Sequence, residues 1–73
     1  MQITVKLYAS FRIGRFSEQL REYPDDATTA TIAKDLDIPP EYLIMLRNGR
    51  HALPDDTVHD GDTVSLLPML EGG

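Results

Sequence analysis

Residues Gln2 to Tyr8 alternate without a break: Ile3, Val5 and Leu7 fall on one side of an extended chain, and Gln2, Thr4, Lys6 and Tyr8 on the other. A period of two sustained over this length fits a strand with one buried face; wound into a helix, the same residues would scatter their apolar groups around the axis. A half-buried strand requires neighbouring strands and a second layer over its apolar face, so the remaining residues must supply both.

Phe16 to Tyr23 reads as a second strand, with Phe16, Glu18, Leu20 and Glu22 on one side and Ser17, Gln19, Arg21 and Tyr23 on the other. Neither face is wholly apolar, which suits an edge strand paired to the first as a hairpin, where charges also deter aggregation. A short helix over Ser17 to Arg21 is the competing reading, since Glu, Gln, Leu and Arg are good helix formers. Between the two strands, Phe11 and Ile13 are expected to anchor a loop on the core, Gly14 to supply a turn, and Arg12 and Arg15 to sit in solvent.

Pro24-Asp25-Asp26 breaks the extended pattern, and Thr28 or Thr29 can cap a helix whose narrow apolar stripe is Ile32, Ala33 and Leu36. Pro39 and Pro40 require that helix to stop by Ile38. Roughly ten helical residues are marginal alone and must gain stability by packing on a sheet. Tyr42 to Arg47 is an apolar run closed by Asn48-Gly49, a pair suited to a tight hairpin turn, with a short strand following at His51 to Leu53. Leu43 and Met45 share one face and Ile44 and Leu46 the other, and periodicity leaves open which pair is buried; either an outward pair offers an apolar docking patch, or the helix and loops cover both faces. Thr63 to Leu67 forms the last strand, with Val64 and Leu66 toward the core. The economical packing of these elements is an α+β domain: one mixed sheet, its first and last strands parallel at the centre, covered on one face by the helix.

Composition narrows the function. A chain of 73 residues buries only about 60% of its unfolded surface and has no room for an enclosed catalytic cleft. This favours a carrier, binding or adaptor module over a self-sufficient enzyme. Cysteine is absent, which removes disulfides, thiolate zinc sites and a cysteine nucleophile, and His51 and His59 are the only histidines. Asp60-Gly61-Asp62 lacks the ligand ladder of a calcium loop and reads as a structural turn; His59 has no identifiable nucleophile or carboxylate partner and reads as a surface residue. No metal site and no cofactor bound by the chain are expected. A net charge of -5 disfavours nucleic acid and anionic membranes and favours an electropositive protein surface. The opening residues carry a lysine among short apolar segments and resemble neither a signal peptide nor a membrane span, so a cytoplasmic location is the expectation.

The sequence ends Leu66-Leu67-Pro68-Met69-Leu70-Glu71-Gly72-Gly73. Glycine contributes little to a structural terminus and is valuable where a main chain must be approached closely. A diglycine tail directly after an apolar strand can enter a site too narrow for side chains.

Taken together, Val5-Lys6-Leu7-Tyr8-Ala9-Ser10-Phe11-Arg12, the helical stretch Thr28 to Leu36, Asn48-Gly49, Asp60-Gly61-Asp62-Thr63-Val64, Leu67-Pro68 and the closing Gly72-Gly73 resemble the ubiquitin-like sulfur-carrier family. Its representatives are the small subunit of molybdopterin synthase and the thiamin-biosynthesis sulfur carrier. The resemblance spans nearly the whole chain and implies a single β-grasp domain over residues 1–73 with a flexible tail at 69–73. It departs from the family at Arg47, where a small or β-branched apolar residue is usual, and at Met69-Leu70-Glu71.

The resemblance further implies a carrier cycle. A ubiquitin-activating-like adenylyltransferase, using its own ATP and magnesium, adenylates the Gly73 carboxylate; a sulfur donor protein converts the adenylate to a thiocarboxylate; an acceptor enzyme such as a molybdopterin synthase large subunit takes the sulfur. Gly73 is then the attachment point and Gly72 the residue that lets the tail thread. Leu67, Pro68, Met69, Leu70, Glu71 and Met45 are the candidate partner contacts. An interaction or modifier module whose tail forms amides with lysines is the alternative.

Overall fold

The computed structural model describes residues 1–69; the predicted roles of Leu70, Glu71, Gly72 and Gly73 lie outside the described residues. Five strands, β1 (Gln2–Leu7), β2 (Glu18–Glu22), β3 (Leu43–Arg47), β4 (Arg50–His51) and β5 (Thr63–Pro68), form one sheet in the order β2-β1-β5-β3-β4. β1 and β5 run parallel at its centre, and the other pairings are antiparallel. The helix α1 (Thr29–Asp35) covers one face, completing a ubiquitin-like β-grasp.

Ile3, Val5 and Leu7 of β1 and Val64 and Leu66 of β5 are essentially sealed from solvent beneath Ile32, Ala33 and Leu36 of α1. The alternation in β1 therefore carries through as read, and the same period fixes which face each β5 residue takes. On β3 the ambiguity is resolved by α1: Leu43 and Met45 turn into the core, and Ile44 and Leu46 face the uncovered side.

α1 is shorter than its stripe suggests, and its end has a cause other than the prolines. Asp37 adopts the left-handed conformation (φ 58°), its N–H donates to Lys34 O (3.1 Å), and Ile38 N–H donates to Ala33 O (3.0 Å). This pair of bonds is a Schellman stop with Ile38 tucked into the core. At the other end Thr28 is the N-cap and its N–H donates to the Thr31 hydroxyl (3.0 Å). Thr29 and Ala30 donate their N–H groups to Asp56 O and Pro54 O, so the 53–56 turn satisfies donors that a helix start leaves free.

The loop after β1 departs from expectation. Ala9–Arg12 forms a short 3-10 turn. Phe11 packs on the core as foreseen, but Ile13 is 77% exposed and anchors nothing. Arg15, read as a solvated charge, donates from Nε to Leu36 O (3.3 Å) and from Nη1 to Phe11 O (3.2 Å), tying the loop to the carbonyl end of α1. β2 is confirmed as a strand, trimmed to Glu18–Glu22, with Phe16 half-buried ahead of it beneath the Arg21 guanidinium at 5.5 Å. Tyr23 closes the gap between this edge and the helix, its hydroxyl donating to Asp35 Oδ2 (2.9 Å). Burial first, and then the Asp35 hydrogen bond and charge, push the phenol up to about 12.

Candidate functional site: the exit of the central strand

β5 is bonded on both sides, to β1 and to β3, at the centre of the sheet. Its register sets Leu66 beside Leu7 on β1 and Met45 on β3, and sets Leu67 opposite Ile44. Just past the end of β1, Tyr8 N–H donates to Leu66 O (3.2 Å), and just past the end of β5, Met69 N–H donates to Tyr42 O (2.8 Å). The chain is thus under main-chain control as far as Met69, immediately before the Leu70-to-Gly73 segment.

The start of β5 is fixed as firmly. Asp62 is 8% exposed and accepts hydrogen bonds from Asn48 Nδ2 (2.8 Å), His59 N–H (2.8 Å) and Arg47 Nη1 (3.2 Å). Burial alone would raise this carboxyl; the three donors outweigh it and hold it below the ordinary carboxylate value. Asn48 returns a second bond, its Oδ1 accepting from Thr63 N–H (2.9 Å). Asp60 Oδ1 accepts from Gln2 N–H. The acidic turn is structural, as the sequence suggested, and Arg47 acquires a reason: it is the cation that neutralises Asp62 from the facing strand. The Asn48-Gly49 turn carries positive φ at both residues (52° and 82°), as a tight hairpin turn requires.

On the uncovered face the strand exit is apolar. Ile44 and Leu67 pair directly, Leu46 lies in the next row opposite Ser65, and Tyr8, Tyr42 and Met69 border them with roughly half of each side chain in solvent. Among the predicted partner contacts, Leu67 and Met69 belong to this patch, and Pro68 is half-buried opposite Leu43. Met45 does not belong: at 5% exposure it is part of the core and offers no surface to a partner. Tyr8 and Tyr42 went unremarked as contacts in the sequence. The signal for Tyr8 was its position as an aromatic residue on the otherwise polar face of β1.

These features define a class: a β-grasp domain with an apolar patch at the exit of its central strand and no catalytic constellation apparent among the described residues. Comparison with known proteins gives the particular family. The sequence matches the ThiS family over residues 5–73, and the chain belongs to that family. Its fold is similar to small archaeal modifier protein 1 from Haloferax volcanii (21% identity over 94% of this chain and 98% of the other, TM-score 0.79). It is likewise similar to a protein assigned as molybdopterin converting factor subunit 1 from Pyrococcus furiosus (22%, 96% and 99%, TM-score 0.80). A chain from the complex of subunits 1 and 2 of the molybdopterin-converting factor of Helicobacter pylori also matches (18%, both chains covered in full, TM-score 0.68). Among the described residues no helix is long and apolar enough to cross a membrane.

Proposed function

We propose that this chain is a sulfur carrier whose Gly73 carboxyl is adenylated and converted to a thiocarboxylate, serving a molybdopterin-type cofactor pathway. The observation that carries the reading is the rigid exit of β5: a strand bonded on both flanks and still held at Met69 leads directly into Leu70-Glu71-Gly72-Gly73. Membership of the ThiS family, with the match running through Gly73, supports the chemistry; the molybdopterin-converting factor subunits among proteins of this fold motivate the choice of pathway, and a thiamin or other sulfur-metabolite route is the alternative.

A carboxylate is a poor electrophile until one oxygen becomes part of a good leaving group. Attack of the Gly73 carboxylate on the α-phosphorus of ATP expels pyrophosphate; the terminal sulfur of a donor persulfide then displaces AMP to give an acyl disulfide, and a second thiol attacks the donor-side sulfur, releasing the thiocarboxylate and leaving a disulfide on the donor. The adenylyltransferase contributes ATP, magnesium and the catalytic donors. This chain contributes the acyl group and its positioning. Placement matters because an error of about 1 Å in a reacting group can cost roughly a hundredfold in rate. The Ile44–Leu67 patch and the acid surplus are the surfaces that would dock the activating and acceptor enzymes, in the cytoplasm.

The test is to incubate the chain with an adenylyltransferase of this kind, ATP and a sulfur donor, and to weigh it intact. Replacement of one oxygen by sulfur at Gly73 is the expected result. The likeness to an archaeal modifier protein motivates the second reading, amide conjugation to lysines; lysine-linked adducts alone would establish it, and no ATP-dependent mass change would remove both.

A further inference from the structure

The outer edge of β2 is open, and its pattern specifies what can close it. Tyr23 N–H donates to Met1 O and Leu7 N–H to Ser17 O, and the register sets Ile3 opposite Arg21 and Val5 opposite Gln19. Bonded and non-bonded pairs alternate along an antiparallel ladder. Ser17, Gln19, Arg21 and Tyr23 therefore direct their backbone groups to β1, while Glu18, Leu20 and Glu22 direct theirs outward, where no described residue bonds them. Those same three residues place their side chains on the uncovered face, because Tyr23, of opposite parity, enters the core. The edge thus presents acid, aliphatic, acid, with Leu20 59% exposed at its centre.

A second copy is a poor occupant. Antiparallel pairing about Leu20 sets Glu18 against Glu22 on both sides of the axis, and parallel in-register pairing stacks each glutamate on its equivalent; like charges directly opposite are destabilising. We propose that this edge takes an extended segment of a partner protein with the pattern basic–x–apolar–x–basic, added as a sixth strand outside β2. Lysine or arginine then lies opposite Glu18 and Glu22, and an aliphatic residue covers Leu20. Main-chain bonds supply attachment and alternate side chains supply selection. Lys6, 4.0 Å from Glu18, approaches from the β1 side and leaves the Glu18 side chain 61% exposed. Because β1 separates β2 from β5, such a segment leaves the Leu67 patch clear, and its binding is independent of any chemistry at Gly73.

The experiment titrates the isotopically labelled full chain with the synthetic peptide Thr-Lys-Thr-Val-Thr-Lys-Thr, using Thr-Glu-Thr-Val-Thr-Glu-Thr as control. Saturable shifts centred on residues 18–22, slowed amide exchange at Glu18, Leu20 and Glu22, and preference for the basic peptide are expected. The double variant E18K/E22K, checked for an unchanged fold by its far-UV spectrum, should bind the basic peptide at least about tenfold more weakly, about 1.4 kcal/mol, and turn to the acidic one. Shifts gathered around Ile44 and Leu67, no shifts at millimolar peptide, or an unaltered preference in the variant would each overturn the proposal.

Discussion

Asp62→Ala should be among the most damaging single polar substitutions in this protein. The carboxylate accepts from Arg47, Asn48 and the His59 N–H and is nearly buried, so truncation leaves two neutral donors without a partner and a guanidinium without a counter-charge. Hydrogen bonds to a charged group contribute about 1.5–3 kcal/mol each. The Arg47 side chain is 35% exposed and rehydrates, so its share is discounted, and the three bonds are not additive. The loss is then about 3–5 kcal/mol, against a total of roughly 4–11 kcal/mol for a domain of this length at about 0.05–0.15 kcal/mol per residue. At about 4–8 °C per kcal/mol, even 3 kcal/mol lowers Tm by roughly 12–24 °C. Asp62→Asn keeps the shape and one acceptor and should cost less.

The pH dependence separates the charge from the packing. The folded carboxyl lies below its unfolded value, so its contribution is present above about pH 4 and is lost as pH falls through the folded value. Urea titrations of wild type, Asp62→Ala and Asp62→Asn between about pH 3 and 7 read both effects. The two variants should lose part of the acid-side slope. A stability for Asp62→Ala within about 0.5 kcal/mol of wild type, with the slope unchanged, would refute the role assigned to this network in holding the start of β5.

Three further outcomes are expected. Leu66→Ala empties a fully buried site and should cost about 2–5 kcal/mol in urea unfolding, whereas Leu67→Ala, one residue on and facing outward, should leave the midpoint nearly unchanged and weaken binding to the activating enzyme. Asp37→Gly, at φ 58°, relieves a left-handed backbone and should raise stability by about 1 kcal/mol; a lower midpoint would contradict the Schellman stop. Tyr23, with a phenol pushed up to about 12, contributes stability that is complete below about pH 10 and lost as pH rises toward the folded value, at most about 3 kcal/mol; Tyr23→Phe should flatten that alkaline decline.

Much of the architecture was legible because periodicity is a local property. The alternation of Ile3, Val5 and Leu7, the Ile32-Ala33-Leu36 stripe and the Asn48-Gly49 turn each name an element from a few neighbouring residues, and the diglycine ending directs attention to the exit of the last strand. Leu43 to Leu46 marks where that logic stops. Both faces of β3 are apolar, and only the placement of α1 buries Met45 and turns Ile44 outward beside Leu67. Arg15, Arg47 and Asp37 are of the same kind: as letters they are a solvated charge, an exception before a turn and an ordinary helical residue. Contacts with Leu36 O and Asp62, and a left-handed backbone held by Ala33 O, depend on segments distant in sequence or on a turn that packing selects. The amino-acid sequence determined which residues alternate and where the chain turns, because those follow from covalent geometry and local sterics. Tertiary structure decided which apolar face is left for a partner and which charges are spent within the molecule, because burial is settled only when the layers meet.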